Sequence, residues 1–362
     1  MEALVTDARF PAALAGIRGL GAAGVGLVAI DSSRLAGGRW SRAAVGRALA
    51  PDPGIDPQAF SARVGELARR HGDPPIFAAT ETAIDALLAA GLGRAFSPAA
   101  VLGSLRAKAG LDGLVRGSGL RAPRLLAQTT AAGLADLAGP DVDDEVVIKG
   151  VDPAGALRGI RLAADAAALL GLSRVLPAGL EVIVQERVAG PQLSLAVVLA
   201  RDGGLVACFQ HAVERTWPTA GGTTTLARSE APDPALVDAV AGVLRRAGFW
   251  GLAQLDLVAG RDGPVVLDIN TRFYGSMALA TACGINLPAA WHAAACDRPR
   301  PQPGAYRAGL RFWWAEGDIR TLHRFRRPRV DHVGPLWADG DLRAGALIGV
   351  VGLAAEARAR RR

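Results

Sequence analysis

The strongest chemical signal in the chain is a pair of aspartates that a short hairpin would bring face to face. Leu252–Val258 and Val265–Asn270 read as strands around a turn centred on Asp262. In that register Asp256 faces Asp268 and Gln254 faces Asn270. Side chains alternate along a strand, so these four share one face, and Leu255, Leu257, Leu267 and Ile269 fall on the other and feed the core. Two carboxylates directly across a strand pair repel each other. A hard cation resolves that conflict, and Mg²⁺ (or Mn²⁺) takes carboxylate and amide oxygens while leaving room for substrate phosphates. Arg272, two positions past Asn270, reaches the same face if the strand continues. There it can grip a phosphoryl group with two parallel hydrogen bonds or pair structurally with Asp268.

Two lysines are the next signal. Of 41 basic residues, 39 are Arg and only Lys108 and Lys149 are Lys. A lysine that persists against such a bias is one whose compact, flexible ammonium is needed. Lys149 ends a β-like run, Glu145–Lys149, and a Gly/Pro/Ala loop follows to Gly159. Lys108 sits in a helical stretch after Phe96-Ser97-Pro98. The plain alternatives are a strand-end surface lysine and a solvated helix residue.

These groups need elements to hold them. Ala3–Thr6, Gly26–Ile30 and Pro75–Ala79 read as strands, with helices over about Pro11–Leu20 and Pro57–Arg70 between them. Such alternation predicts a parallel, doubly wound sheet. Gly19, Gly21 and Gly24 match a dinucleotide fingerprint, but they follow a helix and lead into a strand, so they read as a helix end and turn. Glu181–Glu186 and Ser194–Leu199 are further strands, a helix covers about Pro234–Ala247, and the hairpin follows. The stretch from His211 to Gly222 reads as a loop carrying Arg215.

The run Asp268-Ile-Asn-Thr-Arg-Phe-Tyr-Gly-Ser276, followed by Gly284-Ile-Asn286 and Pro288, resembles the ATP-grasp superfamily of carboxylate–amine ligases. The resemblance covers roughly residues 1–297. It implies an α/β (α+β) ATP-grasp fold: a Rossmann-like domain over 1–97, a nucleotide-binding subdomain over 98–190, a metal-binding subdomain over 191–297 and a basic extension over 298–362. It implies ATP as the nucleotide, with Lys108 and Lys149 on its phosphates and Gly155 and Gly159 in the loop that closes on them. Gln185, Glu186 and Val188 resemble the hinge that meets adenine, and Gln192 stands at the ribose position. Asp256, Asp268 and Asn270 are the metal ligands so implied. Arg272 is the group on the transferring phosphoryl, and Arg215 holds the acceptor carboxylate or acyl phosphate. Three positions depart from the family pattern: Asp268 and Gln192 replace glutamates, and Ala156 stands near an absent serine.

The implied reaction is ATP-dependent joining of a carboxylate and an amine through an acyl phosphate. The alternatives are a carboxyphosphate-forming carboxylase and a non-catalytic ATP-binding or scaffolding protein. Composition narrows the rest. Half the residues are hydrophobic and 21% are charged, which predicts a large buried core. Asp7 and Arg18 break the N-terminal apolar stretch, so it does not read as a signal peptide. The run Ala344–Ala355 is 12 residues, short of the ~20 a bilayer requires. Three cysteines without pairwise metal spacing suit a reducing cytoplasm. Residues 298–362 hold 14 basic and 6 acidic residues, yet no nucleic-acid motif accompanies them. The expected partners are small-molecule substrates, with a homodimer as the default oligomer.

Overall fold

The computed structural model describes residues 1–139, 145–151, 160–218, 221–302, 304–315 and 332–333. The expected glycines Gly155 and Gly159, with Ala156, and most of the basic extension lie outside them.

The N-terminal part is a parallel sheet in the order β3-β2-β1-β4. Its strands are β1 (Ala3–Val5), β2 (Leu27–Asp31), β3 (Gly46–Leu49) and β4 (Ile76–Phe77). Every residue of β1, β2 and β4 is buried, as expected of strands covered on both faces. Helices α1 (Pro11–Ala22), α2 (Pro57–Arg70) and α3 (Glu81–Ala89) flank the sheet. Helix α2 starts where its sequence dictates. The Asp56 side chain accepts from the Ala59 amide, Pro57 needs no amide partner, and Arg69 and Arg70 oppose the dipole at the far end.

Gly19 and Gly21 lie inside α1, which runs on to Ala22 rather than stopping at Leu20, and only Gly24 forms the turn. The helix glycines serve close packing. A Cβ on Gly19 would press on Pro288, and one on Gly16 would overlap the ring of Phe273. Phe273 is fully buried and directly follows Arg272, so α1 braces the site segment from behind. Gly16→Ala should therefore cost about 1–3 kcal/mol through overpacking. Denaturant titration checks this, and an unchanged midpoint would contradict it.

Helices α4 (Ala99–Arg106) and α5 (Leu111–Val115) follow and pack into the large core through Leu102, Leu105, Leu111 and Val115. Next comes an antiparallel sheet in the order β5-β8-β6-β7. It comprises β5 (Leu125–Thr130), β6 (Val146–Gly150), β7 (Ile160–Ala163) and β8 (Glu181–Glu186), with helix α6 (Ala166–Val175) and its own small core around Ile148, Val182 and Leu169.

The largest sheet has the order β13-β12-β9-β10-β11-β14-β15. Its strands are β9 (Gln192–Leu199), β10 (Leu205–Trp217), β11 (Thr223–Glu230), β12 (Gly251–Gly260), β13 (Gly263–Asn270), β14 (Arg311–Trp313) and β15 (His332–Val333). Helices α7 (Pro234–Arg246), α8 (Met277–Ala282) and α9 (Leu287–Ala295) complete it. Of the segment read as a loop from His211 to Gly222, His211–Trp217 instead belong to β10, paired with β11 along this stretch and with β9 as far as Val213, and irregular near Arg215. Its Phe209, His211 and Val213 alternate as a strand face, a period hidden by the Glu-Arg pair beside it. Arg311–Trp313 adds a strand to this sheet, so Trp313 packs there. Trp291 ties the N-terminal parallel sheet to the seven-stranded sheet. It is buried, donates to the Ala95 carbonyl at 2.9 Å and contacts Phe77, Phe96 and Phe273 edge-on.

Candidate functional site

A cleft of about 580 Å³ opens between the antiparallel four-stranded sheet and the seven-stranded sheet. On one wall, β12 and β13 pair Asp256 with Asp268 and Gln254 with Asn270, the expected register at the site. The turn differs. Arg261 and Asp262 form a two-residue turn between Gly260 and Gly263, half a position from the centre read in the sequence. A bulge beside Asp256 absorbs the difference and leaves Leu267 without a cross-strand partner. Leu267 therefore lines the cleft instead of feeding the core, and Val266 takes the core place.

The bulge has a use. The Leu267 carbonyl accepts from Lys149 Nζ at 3.1 Å, reaching from β6 on the opposite wall. Burial lowers the Lys149 pKa, with Lys108 opposing the charge and Asp268 and Asp256 favouring it. Lys108 occupies a short helical turn between α4 and α5, with its Nζ 3.9 Å from Asp268 Oδ1. Both lysines thus converge on the aspartates from different elements.

The Asp256 carboxyl is pushed up to about 6, first by burial and then by Asp268. Gln254 steadies this centre. Its amide donates to Ser194 Oγ at 2.5 Å and to Asp256 Oδ1 at 2.7 Å, and its oxygen accepts from Asn270 Nδ2 at 2.9 Å. That assignment turns the amide nitrogen of Asn270 toward Gln254 and leaves its oxygen for another partner. Among the described residues no cluster of three or more His, Cys, Asp or Glu gathers. A cation here would rest on two carboxylates, the Asn270 oxygen, water and phosphate oxygens, a donor set that suits Mg²⁺.

Arg272 lines the cleft, with Nη1 donating to the Phe273 carbonyl at 3.2 Å. Its carboxylate neighbour is Glu81, 3.7 Å from Nε, rather than Asp268. Arg215 is not brought to the cleft: the irregular register in β10 presents Thr216 there instead. His211 is buried, with its pKa lowered to about 4 by burial, and its Nε2 lies 3.3 Å from Ser276 Oγ.

At the other end of the cleft, Gln185, Glu186, Val188 and Gln192 all contribute to the lining. Gln185 is 1% exposed, and its Oε1 has no hydrogen-bond partner among the described residues. Gly190 shapes this turn, because a Cβ there would sit 2.5 Å from the Ala259 carbonyl oxygen. Sequence reasoning missed Glu81 and Tyr274. Tyr274 was visible beside Arg272, and its buried hydroxyl has no partner among the described residues.

Comparison with known proteins agrees with this architecture. The family described as ATP-grasp in the biosynthetic pathway with Ter operon matches residues 180–317. The biotin carboxylase domain of Hydrogenobacter thermophilus 2-oxoglutarate carboxylase, solved with MgADP and bicarbonate, is 14% identical. The match covers 86% of this chain and 73% of that one, with a TM-score of 0.62. The L-amino acid ligase of Bacillus licheniformis is 15% identical, over 86% and 78% of the chains, with a TM-score of 0.61. N5-carboxyaminoimidazole synthetase of Staphylococcus aureus is 11% identical, over 90% and 85%, with a TM-score of 0.62. No curated protein matches the chain by sequence. The chain has the ATP-grasp fold.

Among the described residues no helix is long and apolar enough to cross a membrane.

Proposed function

We propose that this protein is a cytoplasmic ATP-dependent ligase that joins a carboxylate to an amine, releasing ADP and phosphate. The supporting observation is the convergence in one cleft of Lys108, Lys149, Asp256, Asp268, Asn270 and Arg272 from separate elements. The reading divides the chain into 1–97, 98–190, 191–297 and the extension 298–362.

The nucleotide enters with adenine against Gln185–Val188, where the orphan acceptor of Gln185 suits an exocyclic amino group. Gln192 holds the ribose, and Lys149 and Lys108 hold the phosphates. Asp256, Asp268 and Asn270 would hold Mg²⁺, which supplies charge neutralisation for the phosphates. Phosphoryl transfer is mainly positioning and electrostatics, so the chain's work is to fix donor and acceptor in line. Arg272 grips the moving phosphoryl group as the substrate carboxylate attacks it. The resulting acyl phosphate is then open to the amine. Arg215, away from the cleft wall, remains a proposed contact to the acceptor as the substrate enters.

The test is ADP release from ATP and Mg²⁺ with pooled amino acids, against bicarbonate alone. Stimulation by the pool supports the ligase. Stimulation by bicarbonate alone would make the protein a carboxyphosphate former, and no stimulation by either would favour an ATP-binding scaffold.

A pH prediction follows from Asp256. Its folded carboxyl holds a proton up to about 6, above its ordinary value of 3.8. Its share of stability is therefore full below the ordinary value and is lost as pH rises through about 6. A bound cation reverses that loss by favouring the ionised pair. MgADP should raise the melting temperature more at pH 8 than at pH 5, and Asp256→Asn should erase the difference. Thermal denaturation at the two pH values checks this, and an equal shift at both would contradict it.

A further inference from the structure

Glu81 is a cleft residue to which the nucleotide and the metal give no role. It comes from the N-terminal sheet, as the first residue of α3, four positions past the end of β4. Strand order reverses between β1 and β4, and in open parallel sheets the crevice beyond the strand ends at such a point is where ligands bind. The Glu81 side chain is 15% exposed, and one oxygen lies 3.7 Å from Arg272 Nε. That separation is longer than a charge-assisted hydrogen bond. The other oxygen, Oε2, is buried and has no partner among the described residues. The carboxylate therefore has accepting capacity to spare beside the group that handles the phosphoryl.

Its placement is built. Asp7, just past β1, accepts from the Ala79 amide, the Thr80 amide and Thr80 Oγ1, each at 3.0 Å. Thr80 Oγ1 also accepts from the Ala83 amide and so caps α3. Asp7 is buried, so these bonds form away from competing water. The turn that delivers Glu81 is fixed at both ends. With Thr80 capping the helix, Glu81 is free to face the cleft.

We propose that Glu81 is the cation-binding group of the acceptor pocket, taking the protonated nitrogen of a primary amine such as the α-ammonium of an amino acid. This rests on the ligase reading. An ammonium held on Glu81 lies one side chain away from the acyl phosphate at Arg272. It passes a proton to the Glu81 carboxylate, and the freed amine lone pair attacks the acyl carbon as phosphate leaves. A bimolecular encounter thereby becomes a near-unimolecular one. The same carboxylate repels a second anionic substrate, so it sorts amines from acids.

The test compares the full chain with Glu81→Gln. Two reactions are read with ATP and Mg²⁺: ADP release driven by increasing pooled amino acids, and hydroxamate formation when hydroxylamine is added at a fixed pool concentration. Hydroxylamine is uncharged near neutral pH and does not need an anionic contact. Losing one hydrogen bond to a charged group should raise the pool concentration for half-maximal ADP release at least about tenfold. Hydroxamate formation and half-saturation by MgATP should stay within about twofold, since the acyl phosphate still forms. Glu81→Asp, which keeps the charge, should recover most of the response. Unchanged half-saturation in Glu81→Gln, or an equal loss with the neutral nucleophile, would overturn the inference and reduce Glu81 to a support for Arg272. A wild-type protein that responds to no amine would instead overturn the ligase reading, and the inference with it.

Discussion

Asp268→Asn should lower phosphoryl transfer by about 10²-fold or more, because it removes one of the two charges that would hold Mg²⁺ against the phosphates. Folding should survive. The carboxylate of Asp268 is one reason the Asp256 carboxyl sits at about 6, so a neutral amide at 268 relieves repulsion in the metal-free protein. The hydrogen bond from the Ile269 amide to Asp268 Oδ1 can pass to the amide oxygen of Asn. The two effects run in opposite directions, which separates them from a general loss of structure. Single-turnover ADP formation and a denaturation midpoint measure them. Wild-type turnover in the variant would remove Asp268 from the metal site.

Lys149→Arg should weaken ATP binding at least about tenfold although the charge is retained. Lys149 is buried, and its ammonium reaches the Leu267 carbonyl across the cleft. A guanidinium is wider and planar, and β6 leaves it no slack: Lys149 is paired with Ile160 on one side and Ile183 on the other. Arginine serves nearly everywhere else in this protein, so a silent substitution would leave Lys149 with no role that an arginine cannot fill. Titration with a fluorescent ATP analogue provides the measurement.

The pairing of the two aspartates was legible because it is local. Asp256, Asp268, Gln254 and Asn270 belong to one hairpin, where period-two alternation fixes which side chains share a face. The register at the site was right although the turn centre was not, because the bulge at Leu267 shifts the outer part of the hairpin and leaves the inner part in place. The cost of that shift fell on Leu267, which alternation assigned to the core and the bulge turns into the cleft. Lys149 was legible from a different source, the chain's strong preference for arginine. Arg215 was not legible in this way. Its irregular register lies in the pairing with β11, beyond Val213 where the pairing with β9 stops, and no local pattern carries that. Glu81 is further out of reach. A glutamate opening a helix reads as a partner of the helix dipole, and only the packing of the N-terminal sheet against the Arg272 segment brings it to the cleft. The buried acceptor of Gln185 was likewise invisible, since burial at that depth depends on the pairing of β8 with β5 and β6.

The central claim is that ATP phosphorylates a substrate carboxylate in this cleft. Its most direct test is isotopic. The protein is incubated with ATP, Mg²⁺ and a pool of amino acids carrying ¹⁸O in their carboxyl groups, and inorganic phosphate is examined by mass spectrometry. An acyl phosphate intermediate passes one carboxylate oxygen to phosphate, so ADP should appear with ¹⁸O-labelled phosphate. AMP and pyrophosphate, or ADP with unlabelled phosphate, would contradict the account.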